Sequence, residues 1–141
     1  MKLAKDNNIR NQDVLPEKAG KIFARKLLWA NADDERKIQE EMFNMTRKRT
    51  FDLLVMSDVA ALVYRQYFSD LVASISNLSD NNSTIILAYH KRHGPTEKKF
   101  FKLLAANFSI DLIPRELYHD DFRSGFAEVI EMFCCRKLPA S

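Results

Sequence analysis

The sequence predicts a single α/β domain with a mainly parallel sheet and an antiparallel last strand. Short apolar runs alternate with helix-period segments along the chain. The run FDLLVM (51–56) shows no polar alternation after Asp52, the pattern of a strand covered on both faces of a parallel sheet. Near the end of the sequence two strand-like runs follow one another, which places an antiparallel strand near one edge.

In chain order, the polar segment 2–12 reads as a short surface helix. Gly20 opens KIFARKLLW (21–29), a strand ending in an aromatic. Segment 33–49 reads as a helix, with Asp33 and Asp34 suited to its first turn and Ile38, Met42 and Met45 on one face. After strand 51–56, Leu62, Tyr67, Leu71, Ile75 and Leu78 fall at helical spacing, predicting a helix over 60–78. TIILAYHKR (84–92) is a further strand, broken by Gly94-Pro95. Thr96 can cap the amphipathic helix 97–108. SIDLIP (109–114) is a short strand stopped by Pro114, RELYHDDFRSGF (115–126) an exposed loop, and AEVIEMFCCRK (127–137) the last strand.

The 141 residues suit one domain spanning 1–141. Hydrophobic residues at 46% are too many for a disordered chain. No apolar run approaches the roughly 18 residues that cross a bilayer, and the N-terminus lacks a signal-peptide core. The expected location is the cytoplasm or nucleus, with no membrane partner. A net charge of +3 gives no reason to expect nucleic acid, and the basic clusters at 46–49 and 90–94 read as solvated charge at element boundaries. Cys134 and Cys135 are adjacent, neither bridging easily nor matching a zinc spacing, and are expected to be reduced. With only Gly20, Gly94 and Gly125 present, G-x-G-x-x-G and P-loop motifs are excluded. G-x-S-x-G, H-E-x-x-H and a clustered Cys/His set are also absent, so no metal is expected.

Asp58 stands where strand 51–56 ends. It can cap the following helix or act as a functional acid at the mouth of the sheet, where ligands of such folds bind. Trp29, the only tryptophan, is suited to the core or to covering a flat ring at that mouth. His90, His93 and His119 lack acid–base partners at recognisable spacing and read as surface residues.

KIFARKLLW, FDLLVMSDV, STIILAYHKR, EKKFFKLLAANFSIDLIPRELYHDDFRS and VIEMFCCRK, in this order, resemble the later two thirds of a seven-β-strand S-adenosylmethionine-dependent methyltransferase. The branch they resemble is methyltransferase family 16, which includes the calmodulin-lysine and valosin-containing-protein-lysine enzymes. The resemblance implies a partial Rossmann-like sheet, a protein substrate presenting a lysine, and S-adenosylmethionine as cofactor. By the same resemblance Trp29 lies against the adenine, Ser57 beside the cofactor, and Asp58 opens an acid-x-x-aromatic motif near the substrate lysine. Leu28 replaces the family's acid before the tryptophan, and Ala61 the aromatic expected after Asp58, with Tyr64 one turn later.

The family's first two strands, with the glycine-rich loop and the ribose-binding acid, should precede residue 1. Keeping strands 22–29 and 51–56 in family positions would leave a gap of about 14 Å, three strand spacings. We therefore expect an incomplete domain with weak or no cofactor affinity. A non-catalytic, methyltransferase-derived interaction module is the alternative. Substrate identity and oligomeric state carry no readable code.

Overall fold

The computed structural model describes residues 23–59, 62–91, 94–123 and 130–139, with backbone only for 62, 63, 96 and 97. Helix α1 spans Ala32–Thr46. It starts where Asn31 accepts the Asp34 N–H through Oδ1 at 2.9 Å, and ends where Arg47 turns left-handed at φ 64°. Strand β1 (Leu53–Ser57) is followed by a 3₁₀ helix over Leu62–Tyr67 that runs into helix α2 (Phe68–Asn77). Strand β2 (Thr84–His90), helix α3 (Gly94–Ala105), strand β3 (Phe108–Leu112) and strand β4 (Ile130–Lys137) complete the described fold. Two 3₁₀ turns, Arg115–Leu117 and Asp120–Phe122, lie between β3 and β4.

The four strands form one mixed sheet in the order β1-β2-β4-β3. β1 runs parallel to β2, from Leu53 opposite Thr84 to Ser57 opposite Ala88. β4 lies antiparallel to both neighbours, with Ile85 opposite Cys135 and Ile110 opposite the same Cys135. The result is an α/β fold whose last strand is inserted antiparallel, as the sequence predicts.

Because side chains alternate along a strand, the register sorts them cleanly. On one face lie Met56, Ile85, Leu87, Tyr89 and Cys135, all buried beneath Phe68, Leu71, Val72 and Ile75 of α2 and Phe100 and Leu104 of α3. Phe68 and Phe100 meet edge-on with centroids 5.3 Å apart. Each such side chain contributes about 1.5 to 3 kcal/mol by leaving water. α1 is fastened outside α2 by Glu35, whose carboxylate accepts from Ser74 Oγ at 2.6 Å and Asn77 Nδ2 at 2.8 Å. Lys137 ties the end of β4 to the same helix, donating to the carbonyls of Ser76 and Ser79 at 2.7 and 3.1 Å.

Several expectations change. Residues 23–28 are irregular rather than a strand. Their polar groups are taken by α1: Arg25 pairs with Glu41, and the Leu28 N–H donates to Asp34 Oδ2 at 3.0 Å. β1 is not covered on both faces, for Leu53 and Val55 are 56% and 68% exposed and α2 and α3 pack only on the opposite side. The helix expected over 60–78 has a 3₁₀ first part and becomes α-helical only from Phe68. The helix expected over 97–108 starts at Gly94, because Pro95 suits a first turn where its missing N–H is not needed. Thr96 therefore lies inside it. The expected surface helix 2–12 lies outside the described residues.

The loops at the lower ends of β1 and β2 are joined through Asp80. Its carboxylate accepts from Thr50 Oγ1 at 2.5 Å and from the Asn82 N–H at 2.8 Å. These bonds, that of Thr50 foremost, lower the pKa of Asp80 below its ordinary value. A group with a depressed folded-state pKa contributes stability that is complete above its unfolded pKa and is lost as pH falls through the folded one. Asp80→Ala is expected to cost about 1 to 2 kcal/mol at neutral pH and to flatten the acid limb of a denaturation profile below the ordinary carboxylate range. Urea titrations of both proteins across that range check this.

Candidate functional site

The carboxyl ends of β1 and β2 open into a cleft of about 750 Å³, lined on the sheet side by Ser57, Asp58, Ala88, His90, Ile130 and Met132. Parallel pairing brings Ser57 opposite Ala88 and lets the Asp58 N–H donate to the Ala88 carbonyl at 2.9 Å. The small side chain of Ala88 leaves room between the strand ends. Asp58 then turns left-handed, at φ 53°, a conformation that Asp and Asn tolerate better than other non-glycine residues. That turn ends the strand and sets the residue on the rim of the cleft.

The opposite wall comes from the segment between β3 and β4. Tyr118 is only 4% exposed, and its hydroxyl accepts the Met132 N–H at 2.7 Å. Arg115 Nη2 donates to the Ile130 carbonyl at 3.3 Å, and Arg123 Nε to the Tyr118 carbonyl at 2.9 Å. These bonds hold Leu117, Tyr118, His119 and Phe122 against the end of β4 as a mostly apolar wall. The segment expected as an exposed loop is therefore a structured boundary of the cleft, although Leu117 and Phe122 themselves remain exposed. Its signal in the sequence is the apolar set Leu117, Tyr118 and Phe122 within an otherwise polar stretch.

Of the residues singled out from the sequence, Ser57 and Asp58 are brought together here, and His90 and His119 join them on the lining. His119 also approaches Asp121, with Nδ1 3.4 Å from Oδ2. The α-helical part of the next element has Tyr67 at its N-cap position, and residues 60 and 61, which a cap by Asp58 would reach, lie outside the described residues. His93 and Ala61 lie outside the described residues. Cys134 and Cys135 are both free. Burial, with the nearby Cys134 and Asp111, pushes the Cys135 thiol up to about 12. Among the described residues no group of three His, Cys, Asp or Glu could hold a metal ion. No described helix is long and apolar enough to cross a membrane.

Trp29 is not part of this lining. It is half-buried against the core, and Tyr64 meets it edge-on with centroids 5.6 Å apart. The turn carrying it is pinned from α2: the Ala30 N–H, at φ 55°, donates to Ser74 Oγ at 2.7 Å, and Ser74 in turn donates to buried Glu35. Glu35 thus fixes both α1 and the indole, a role with no local sequence signal because its partners lie about forty residues away. Removing one partner of a buried, charge-assisted network strands the others. Glu35→Ala is expected to cost about 1 to 3 kcal/mol and to free the turn, read as red-shifted emission and lower fluorescence anisotropy of the single tryptophan.

Comparison with known proteins agrees with this architecture. A family model described as lysine methyltransferase matches residues 3–107. A protein of Schizosaccharomyces pombe named as a UPF0665 family protein is 45% identical over 53 residues, a match covering 38% of this chain and 15% of that protein. This chain therefore spans a small part of that relative's length. With the model match extending over most of the sequence, from before Trp29 through β1, β2 and α3, the chain belongs to the lysine methyltransferase family.

Proposed function

We propose that this chain acts in methyl transfer from S-adenosylmethionine to the side-chain amine of a protein lysine, with the cleft beside Asp58 receiving that lysine. The observation that supports the reading is the placement of Asp58. It is a carboxylate residue held in a left-handed turn at the carboxyl end of a parallel strand, on the rim of a cleft walled by Leu117, Tyr118, Phe122, Ile130 and Met132. Strand ends of this kind are where α/β sheets bind ligands.

Bound S-adenosylmethionine supplies an electrophilic methyl group on a sulfonium sulfur. The chain's own task is to present a neutral amine in line with it and to keep water away. The apolar wall suits the lysine methylenes and excludes water, while the Asp58 carboxylate can accept an N–H of the incoming amine and orient its lone pair. Trp29 is the residue assigned in this reading to the cofactor's adenine; its half-buried indole, outside the cleft lining, is held by the Ala30 and Ser74 hydrogen bond and by Tyr64. Ser57 offers a hydroxyl at the strand end. At the neighbouring position the fit is poorer: Leu28 has no acceptor in its side chain.

A second reading, a non-catalytic interaction module derived from the same fold, is favoured by the exposed Leu53 and Val55 on β1. Titration with S-adenosylmethionine separates the two. The transferase reading expects saturable quenching of Trp29 emission, lost as a signal in Trp29→Phe, where calorimetry takes over as the readout. Absence of both quenching and heat at millimolar cofactor would favour the module or a transferase domain incomplete in this chain. Asp58→Asn is expected to keep the left-handed turn and the melting temperature while lowering methyl transfer to a lysine-bearing protein at least about tenfold. A large loss of melting temperature in that variant would assign Asp58 to the fold instead.

A further inference from the structure

We propose that Thr50 is a phosphorylation site, at which a phosphoryl group from a nucleoside triphosphate, placed by a protein kinase that reads basic residues, opens the joint between the lower ends of β1 and β2. Thr50 lies in the irregular stretch 47–52 between α1 and β1, half-buried behind the exposed Arg47, Lys48 and Arg49. Of all the serines and threonines in the sequence, Thr50 alone directly follows three basic residues. Kinases select substrates by such charge patterns beside the acceptor hydroxyl. In the transfer, Thr50 Oγ1 bonds to the γ-phosphorus and the bond from that phosphorus to its bridging oxygen breaks. The nucleoside diphosphate leaves with the electron pair, and the hydroxyl proton passes to the kinase's catalytic carboxylate.

The hydroxyl has one set of partners for each of its chemical states. Unmodified, Thr50 Oγ1 donates to Asp80 Oδ2 at 2.5 Å. The adjoining backbone is held to the same turn, for the Phe51 N–H donates to the Leu78 carbonyl at 2.9 Å and Ser83 Oγ to the Phe51 carbonyl at 2.5 Å. A phosphate on Oγ1 leaves no proton there to donate and sets about two negative charges against the Asp80 carboxylate, which repels it. The basic side receives it instead. Arg47 and Arg49 lie over the Phe43 ring, their guanidinium carbons 5.7 and 4.9 Å from its centroid, and among the described residues neither forms an ion pair, whereas Lys48 is engaged by Asp52. Guanidinium groups hold phosphate through paired hydrogen bonds. Modification thus exchanges a bond to the turn before β2 for bonds to the end of α1.

Incubation of the full chain with magnesium ATP and the catalytic subunit of the cyclic-AMP-dependent kinase, followed by peptide mass spectrometry, tests this. One phosphoryl group, on Thr50, is expected. Arg47→Asn removes the charge but suits the left-handed position at the end of α1, and should slow incorporation several-fold. Asp80→Ala, which releases the hydroxyl, should speed it several-fold. In urea the phosphorylated chain should unfold at a lower concentration than the unmodified one. The same modification should shift the midpoint of Asp80→Ala less, because the repelling carboxylate is gone. No incorporation overturns the proposal, as does a phosphate carried by another residue or a rate indifferent to Arg47→Asn. A midpoint shift that is absent, or equal with and without Asp80, overturns the opening of the joint. The peptide map of the unsubstituted chain locates the phosphate even where a variant fails to fold. None of these outcomes depends on cofactor binding or methyl transfer.

Discussion

The structure depends on the pairing of β2 on both its sides. Thr84–His90 is parallel to β1 and antiparallel to β4, so Ile85–Ala88 has a strand neighbour on each side. Its alternate side chains Ile85, Leu87 and Tyr89 are the floor on which α2 and α3 sit. A slip by one residue would exchange these for Thr84, Ile86, Ala88 and His90 and expose the apolar set. The same register sets the site, because the Ala88 carbonyl that holds the Asp58 N–H belongs to the β2 segment whose side chains form the core. Cleft and core are thus two consequences of one alignment.

Much of this was legible in the sequence, and the exceptions have physical causes. The helices were legible because their apolar periodicity matches the face they bury: Phe68, Leu71, Val72 and Ile75 in α2, Phe100 and Leu104 in α3. β2, β3 and β4 followed from apolar runs bounded by turn residues. Within the segment read as a strand over 21–29, the described residues 23–28 are irregular: Ala24 and Leu27 have strand-like spacing, yet a strand requires a neighbour, and α1 captures residues 25 and 28 instead. The apolar composition of β1 reads as two-sided burial although one face is open. Composition records what a strand is suited to face, while its actual neighbours are set by the whole chain.

The site divides in the same way. Asp58 was singled out because a carboxylate at the end of an apolar run is a local signal, and Ser57 through the family resemblance; both lie on the lining of the cleft. Trp29 was singled out too, and it lies outside the lining of the cleft that holds Asp58. His90 was legible as standing at a strand end, but His119, Tyr118 and Met132 were not recognised as lining residues, since their convergence depends on the antiparallel return of β4 to β2 and on hydrogen bonds such as that of the Tyr118 hydroxyl with the Met132 N–H. The buried Glu35 network was equally hidden, for a glutamate in the first turn of a helix is ordinarily read as favouring the helix dipole. Here its carboxylate bonds to Ser74 and Asn77 of the adjacent helix.

The strand order has a bearing on biosynthesis. β4 lies between β2 and β3 but follows both along the chain. While the polypeptide emerges from a ribosome, the edges of β2 and β3 that will face β4 therefore wait, side by side in sequence but not yet joined. Cys135, Lys137 and the bonds from Lys137 to the end of α2 arrive last. Sheets closed by a late central strand depend on contacts distant in sequence and form slowly. Nascent chains halted before residue 130 would carry two adhesive edges at once, the state most in need of a chaperone's shelter.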